Sequence, residues 1–259
     1  MSTAAAARVA DRDPLVGALG WRAVLLYHDP VAFDRWVWIR RNALGGPLRT
    51  LDAGSGNGAF AMYAAQRGNR VTALSYIDED QAKGERRAAR IGLDDISFQV
   101  RDLRHLDRFA AELGEFDQVL CLEVIEHILD DRKLLRDLAA VTRPGGRLLL
   151  TTPHRDHVPF FGEVIEEVET GHHVRPGYTH EEMRVLLAEA GFRVVSGAFV
   201  NGVLSQWGFN LMYRLDRVYP HLGWAATLPL RLLRPFDPLL TRLTGRPYLS
   251  IGVVAVRTD

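Results

Sequence analysis

Leu51-Asp52-Ala53-Gly54-Ser55-Gly56-Asn57-Gly58 reads as an apolar strand that ends in an acid and then turns through three alternating glycines. Glycines at that spacing let a backbone bend sharply and lie close against a ligand, where a Cβ would intrude. Residues 60–66 continue as the start of a helix, so the loop would present free backbone amides at a helix N-terminus. A strand, a glycine loop and a helix in that order make a nucleotide site.

Two kinds of nucleotide site share this grammar. Gly54, Gly56 and Ala59 satisfy the dinucleotide pattern G-x-G-x-x-G/A. Asp52, Gly54, Gly56 and Gly58 satisfy a second pattern, an acid, one residue and G-x-G-x-G. Further strings follow: Val100-Arg101-Asp102-Leu103, then Phe116-Asp117 running through Glu123-Val124-Ile125-Glu126-His127, then Arg143-Pro144-Gly145-Gly146-Arg147, then Glu189-Ala190-Gly191-Phe192. In order and spacing this series resembles the landmarks of the class I S-adenosylmethionine-dependent methyltransferases over about residues 47–198, with a last strand near 249–257. A dehydrogenase has no reason to carry it.

Composition is consistent with that class. The 259 residues suffice for one large α/β domain, and 47% hydrophobic with 25% charged content is ordinary for a globular protein. Net charge is zero, which gives nucleic acid no electrostatic reason to be a partner. The single cysteine, Cys121, excludes an internal disulfide and sits in an apolar strand, as a structural thiol would. Residues 1–12 are alanine-rich, broken by charges and lack a signal peptide's apolar stretch, so a disordered tail and a cytoplasmic protein are expected.

Strand-like runs at 49–52, 70–74, 97–100, 118–122 and 147–151 alternate with helical segments, which predicts a parallel sheet covered on both faces. Runs at 192–196 and 250–256 are the last two strands, an antiparallel edge expected from the resemblance. The expected fold is thus α/β: a three-layer, doubly wound, Rossmann-like, mostly parallel sheet of seven strands spanning 47–259. A helical cap of two short helices precedes it at 13–46. A helical insertion at 198–247, rich in aromatic residues and carrying six arginines against two aspartates, interrupts it before the last strand. The insertion reads as a packed helical subdomain, as a cover for the substrate, or as a surface for peripheral contact with a membrane or a lipophilic substrate. Thr179 and Glu182 form a capping box for the helix at 181–190, and Gly191 closes it.

The resemblance assigns roles residue by residue. Asp52 would order the glycine loop and reach the methionine amino group of S-adenosylmethionine, with Gly54, Ser55, Gly56 and Gly58 as the loop that binds the cofactor. Ser75 and Tyr76 fall where the family places a ribose-binding acid, and Ser75 cannot make the bidentate, charge-assisted pair that such an acid makes. That departure leaves room for a 2′-phosphate cofactor. Asp102 and Leu103 would face the adenine, and Glu123 is a further expected cofactor contact. Glu123, Glu126 and His127 stand at i, i+3 and i+4, near one face if a helix begins there. The string Glu-Val-Ile-Glu-His resembles that of the ubiquinone-biosynthesis O-methyltransferases and of the small-RNA terminal methyltransferases, where such residues can hold a divalent metal such as Mg²⁺. Alternatively His127 is a general base with His173 as its partner across the site, while His154 and His157 could add ligands. Glu163, Glu166, Glu167 and Glu169 read as a solvated acidic helix face.

The expected activity is methyl transfer to a hydroxyl oxygen of a small-molecule acceptor. A nicotinamide-dependent reductase is one alternative. A non-catalytic adenosylmethionine-fold protein that binds a membrane or partner through 198–247 is another. Acceptor identity and oligomeric state are not legible in the chain.

Overall fold

The structure, a computed structural model, describes residues 30–158, 165–219 and 222–258, with Val16 and Gly20 before them. The expected tail at 1–12, most of the expected cap before residue 30, and Glu163 lie outside the described residues. The cap contributes one described helix, α1 (Pro30–Asn42), whose Trp38 and Ile39 are buried.

Seven strands form one sheet: β1 (Arg49–Ala53), β2 (Arg70–Ser75), β3 (Ile96–Val100), β4 (Phe116–Leu122), β5 (Thr142–Pro153), β6 (Phe192–Val200) and β7 (Ser250–Arg257). Their order is β3-β2-β1-β4-β5-β7-β6. The first five pair in parallel, and β7 runs antiparallel between β5 and β6. Strand order reverses beside β1 and β4, so the cleft beyond their carboxyl ends is the place where such sheets bind ligands.

Helices α2 (Ala59–Gln66), α3 (Asp78–Arg90), α4 (Ala110–Leu113), α5 (Asp131–Ala140) and α6 (His180–Glu189) connect the strands. Central strands are buried on both faces because helices cover each side: Val119, Leu120, Cys121, Leu148, Leu149 and Leu150 are all fully buried. Burial pushes the Cys121 thiol pKa far up, so it is inert packing. The Thr179–Glu182 capping box forms as expected on α6.

Two boundaries differ from the sequence reading. β5 begins at Thr142 and runs through Pro144-Gly145-Gly146, where Gly145 takes φ +73°. β6 continues to Val200, because β7 lies alongside it and pairs Val200 with Ser250. Helices therefore start only after Gly202, as α7 (Val203–Asp216), α8 (Leu222–Thr227), a 3-10 turn at Leu228–Phe236 and α9 (Asp237–Thr244).

Candidate functional site

The glycine loop is shaped by close approach. Gly54 takes φ +91°, and a Cβ there would lie 2.3 Å from Val124 Cγ2. Gly58 takes φ +79°, with Phe98 Cε1 2.6 Å from where its Cβ would be. Ser55 donates its hydroxyl to Leu74 O (3.2 Å) and accepts from Gln81 Nε2 (3.1 Å), tying the loop to β2 and α3.

Asp52, one residue before the end of β1, is almost wholly buried. One oxygen accepts the Ala61 amide, whereas Oδ2 has no hydrogen-bond partner. Burial raises its pKa from 3.8 to about 7. The unfolded chain releases this proton near its ordinary value, while the folded chain keeps it until about pH 7. Stability from this group is therefore complete below about pH 4 and is lost as pH rises through 7. In urea titrations the apo protein's midpoint should fall between about pH 5 and pH 8, and Asp52→Asn should flatten that fall. Equal slopes in the two proteins would exclude Asp52 as the cause.

A cavity of about 260 Å³ opens at the carboxyl ends of the strands. Of the expected cofactor residues, Gly54, Gly56, Ser75, Tyr76, Asp102, Leu103 and Glu123 line it, as does His127. Asp52, Ser55 and Gly58 are not on its wall; Ser55 and Gly58 shape the loop from within it. Ser75 Oγ is engaged by the Ile77 amide at 3.2 Å. Asp80, in the first turn of α3, brings a carboxylate to the same wall, close in sequence to the position where the family's acid is missing.

Asp102 caps a 3-10 turn and accepts from the Arg104 amide (3.0 Å) and from the Arg104 guanidinium Nε (2.9 Å). Those bonds hold its carboxyl below the usual range. Arg104 also reaches Glu169 (3.1 Å), which accepts from the Leu129 amide (2.5 Å). The expected acidic helix face is thus absent among the described residues: 165–170 is irregular, and Glu169 lines the cavity instead. Neither Arg104 nor Glu169 announces itself in the sequence, because the pair joins loops 65 positions apart.

Beyond β4 the chain does not enter a helix. Glu123 takes φ +54°, Ile125–His127 is a single 3-10 turn, and α5 starts only at Asp131. This corrects the shared helical face expected for Glu123, Glu126 and His127. Glu123 turns to Arg35 of α1 (3.3 Å) and to the Ser250 hydroxyl (3.4 Å). Glu126 is fully buried and accepts from Thr152 at 3.2 Å. Burial, with Glu123 nearby, raises its pKa well above the carboxylate range.

The cluster with metal-ligand geometry is therefore Glu126, His127 and His173, whose ligand atoms lie within 4.8 Å of one another. His173 replaces Glu123 in the expected set because the backbone turn at Glu123 points it to Arg35. His127 and His173 meet edge to face at 4.8 Å between ring centroids. Burial, then the neighbouring His173, lowers the His127 pKa, which keeps the imidazole neutral near pH 7. His154 and His157 are not in this cluster: His154 packs against Phe199, and His157 Nδ1 lies 2.7 Å from the His154 carbonyl.

A glycine loop between β1 and α2, the cavity at the strand-order reversal and the antiparallel β7 define a class I methyltransferase fold. The sequence agrees: residues 33–197 match a family model described as Methyltransferase domain, and the chain belongs to that family. Among similar proteins is the ubiquinone biosynthesis O-methyltransferase of Erwinia tasmaniensis, 31% identical over 128 residues, which are 49% of this chain and 51% of that one. The protein of the same name from Methylocella silvestris is 37% identical over 108 residues, 42% of this chain and 41% of the other. The chain thus spans about half the length of the curated relatives it matches. A crystal structure of the Burkholderia thailandensis 1,6-didemethyltoxoflavin-N1-methyltransferase, with S-adenosylhomocysteine bound, shares the fold. It superposes with a TM-score of 0.53 at 21% identity, covering 100% of this chain and 92% of that one. The reductase alternative finds no support in these matches, nor does the non-catalytic one.

Proposed function

We propose that this chain transfers the methyl group of S-adenosylmethionine to a hydroxyl oxygen of a small-molecule biosynthetic intermediate of lipophilic character. The observation that carries the reading is the opening of one cavity onto both the glycine loop and His127. The names of the relatives support oxygen as the acceptor atom. In the reaction the acceptor oxygen attacks the sulfonium methyl carbon, the carbon–sulfur bond breaks, and S-adenosylhomocysteine leaves. The cofactor needs no activation, so what remains is to align the acceptor and take its proton. His127 is the proposed base: it lines the cavity and is neutral near pH 7. His173 beside it is the second proposed catalytic histidine.

Cofactor contact would run along the wall. Gly54, Gly56 and Glu123 flank the methionine end, Ser75, Tyr76 and Asp80 the ribose, and Asp102 and Leu103 the adenine. Glu126, His127 and His173 also suit a divalent cation such as Mg²⁺, since Glu126 Oε1 and His127 Nδ1 are buried without partners. A cation held there would bind the acceptor oxygen and lower its pKa.

Calorimetry with S-adenosylhomocysteine, with Mg²⁺ and after chelation, tests the cofactor and the cation together. Micromolar binding supports the assignment, and dependence on Mg²⁺ supports the cation. No binding under either condition would overturn the methyltransferase reading. A screen of hydroxylated aromatic acceptors, read by mass for the methyl ether, then tests oxygen as the acceptor atom.

A further inference from the structure

Glu123 lines the cofactor cavity, and its Oε1 is buried without a hydrogen-bond partner. Asp52 and Glu126 also have an unpartnered oxygen, but neither is on that wall. The other oxygen of Glu123, Oε2, is held from two sides. Arg35 of α1 reaches it at 3.3 Å, and the Ser250 hydroxyl, at the start of β7, donates to it at 3.4 Å. A hydroxyl has one proton, so Ser250, having given it to Glu123, accepts from Asn201 Nδ2 at 3.3 Å. Amide, hydroxyl and carboxylate thus form one directed row that ends at the cavity.

Both ends of the row have the same unusual backbone. Among the described residues, Glu123 (φ +54°) and Asn201 (φ +64°) are the two non-glycine residues in the left-handed region. Asparagine enters that region readily and glutamate does not, so the strain falls on Glu123. Strain of this kind persists where the surroundings over-determine it, and it clusters at ligand sites. Here each end is pinned through its main chain. The Glu123 amide donates to Thr151 O (2.9 Å), while the Asn201 carbonyl accepts from the Leu249 amide (2.9 Å) and from Gln206 Nε2 (3.2 Å). Ser250 and Asn201 are buried, where polar partners interact more strongly than at the surface. The two side-chain bonds are long, as bonds in a catalytic site often are until its ligand draws them in.

We propose, on the methyltransferase reading above, that Asn201 and Ser250 are positioning residues that turn Glu123 so that Oε1 receives the α-ammonium group of the cofactor's methionine end. Arg35 touches Oε2 through one nitrogen, and the carboxylate can swing about that single contact; the bond from Ser250 fixes its plane. The row therefore acts on the amino-acid end of the cofactor and not on its adenosine. Calorimetry with two probes tests this: S-adenosylhomocysteine, and 5′-methylthioadenosine, which keeps the adenosine and thioether but has no amino group. Ser250→Ala and Asn201→Gly should each weaken S-adenosylhomocysteine about tenfold and leave 5′-methylthioadenosine within about twofold of native. Glycine takes a left-handed backbone without strain, so Asn201→Gly removes the amide and spares the main chain. The double variant should lose no more than Ser250→Ala alone, because members of one row are not additive.

Unchanged S-adenosylhomocysteine affinity in Ser250→Ala overturns the proposal, as does an equal loss for both probes, which is what a merely structural role would give. Losses that add in the double variant overturn it too. Should Ser250→Ala misfold in thermal melts, Asn201→Gly decides by the same comparison of probes. Should 5′-methylthioadenosine bind native protein too weakly to measure, additivity of the S-adenosylhomocysteine losses decides. Native protein that bound neither probe would overturn the methyltransferase reading and the row with it, whereas native binding with unaffected variants overturns the row alone.

Discussion

Gly54→Ala will cost this protein its hold on S-adenosylhomocysteine while leaving it folded. The new Cβ would lie 2.3 Å from Val124 Cγ2, closer than real methyl contacts come, on a backbone at φ +91°. The left-handed backbone costs an alanine about 1–2 kcal/mol, and forcing a methyl into a packed site about 1–3 kcal/mol more. Against the roughly 5–15 kcal/mol of a typical domain, the chain still folds. Relief must come from the loop or from Val124, and both Gly54 and Val124 line the cavity. A shift that loses about 3 kcal/mol of cofactor contact lowers affinity roughly a hundredfold. Gly56→Ala is the matched control: Gly56 also has a positive φ, +49°, but a Cβ there meets no atom within 4 Å. Thermal melts and calorimetry on the two variants separate loop strain from steric conflict. Affinity for Gly54→Ala within about threefold of native would show that Val124 yields freely.

His127→Ala should lower kcat by about 10²–10⁴ at unchanged S-adenosylhomocysteine affinity, the range for loss of a positioned general base. The split between kcat and cofactor affinity is the diagnostic readout. His127 lines the cavity, but its substitution leaves the glycine loop, Asp102 and Leu103 in place. His173→Ala should cost less if its part is to keep His127 uncharged, since His173 is the second cause, after burial, of the lowered His127 pKa. The pH–rate limb would then move up, because the His127 pKa would rise toward its ordinary value. Single-turnover rates with each variant give both quantities. An unchanged rate for His127→Ala would mean that alignment alone carries the reaction.

Much of this site was legible before the fold was known, because its parts are local. Strand, glycine loop and helix follow from the sixteen consecutive residues 51–66, and Asp102-Leu103 stands in one short string just after β3. Glu123 misled because a helical spacing was read across a segment whose backbone turns left-handed at Glu123 and closes a single 3-10 turn. Nothing in Glu-Val-Ile-Glu-His signals that turn. It is accompanied by the Glu123 amide bonding to Thr151 O (2.9 Å), by Arg35 from α1, and by Ser250 from the far end of the chain.

The sequence by itself determined the α/β class, the position of the glycine loop, the capping of α6 and the burial of Cys121. Each depends on residues a few positions apart, whose spacing meets a fixed helical or strand period. Tertiary structure alone decided that His173, rather than Glu123, completes the cluster with Glu126 and His127, that Arg104 and Glu169 meet at the cavity, and that Leu239 and Leu243 of α9 face outward. Those outcomes depend on contacts between segments dozens of residues apart. There, burial and hydrogen-bond satisfaction across the packed layers, rather than local period, choose which side chains meet.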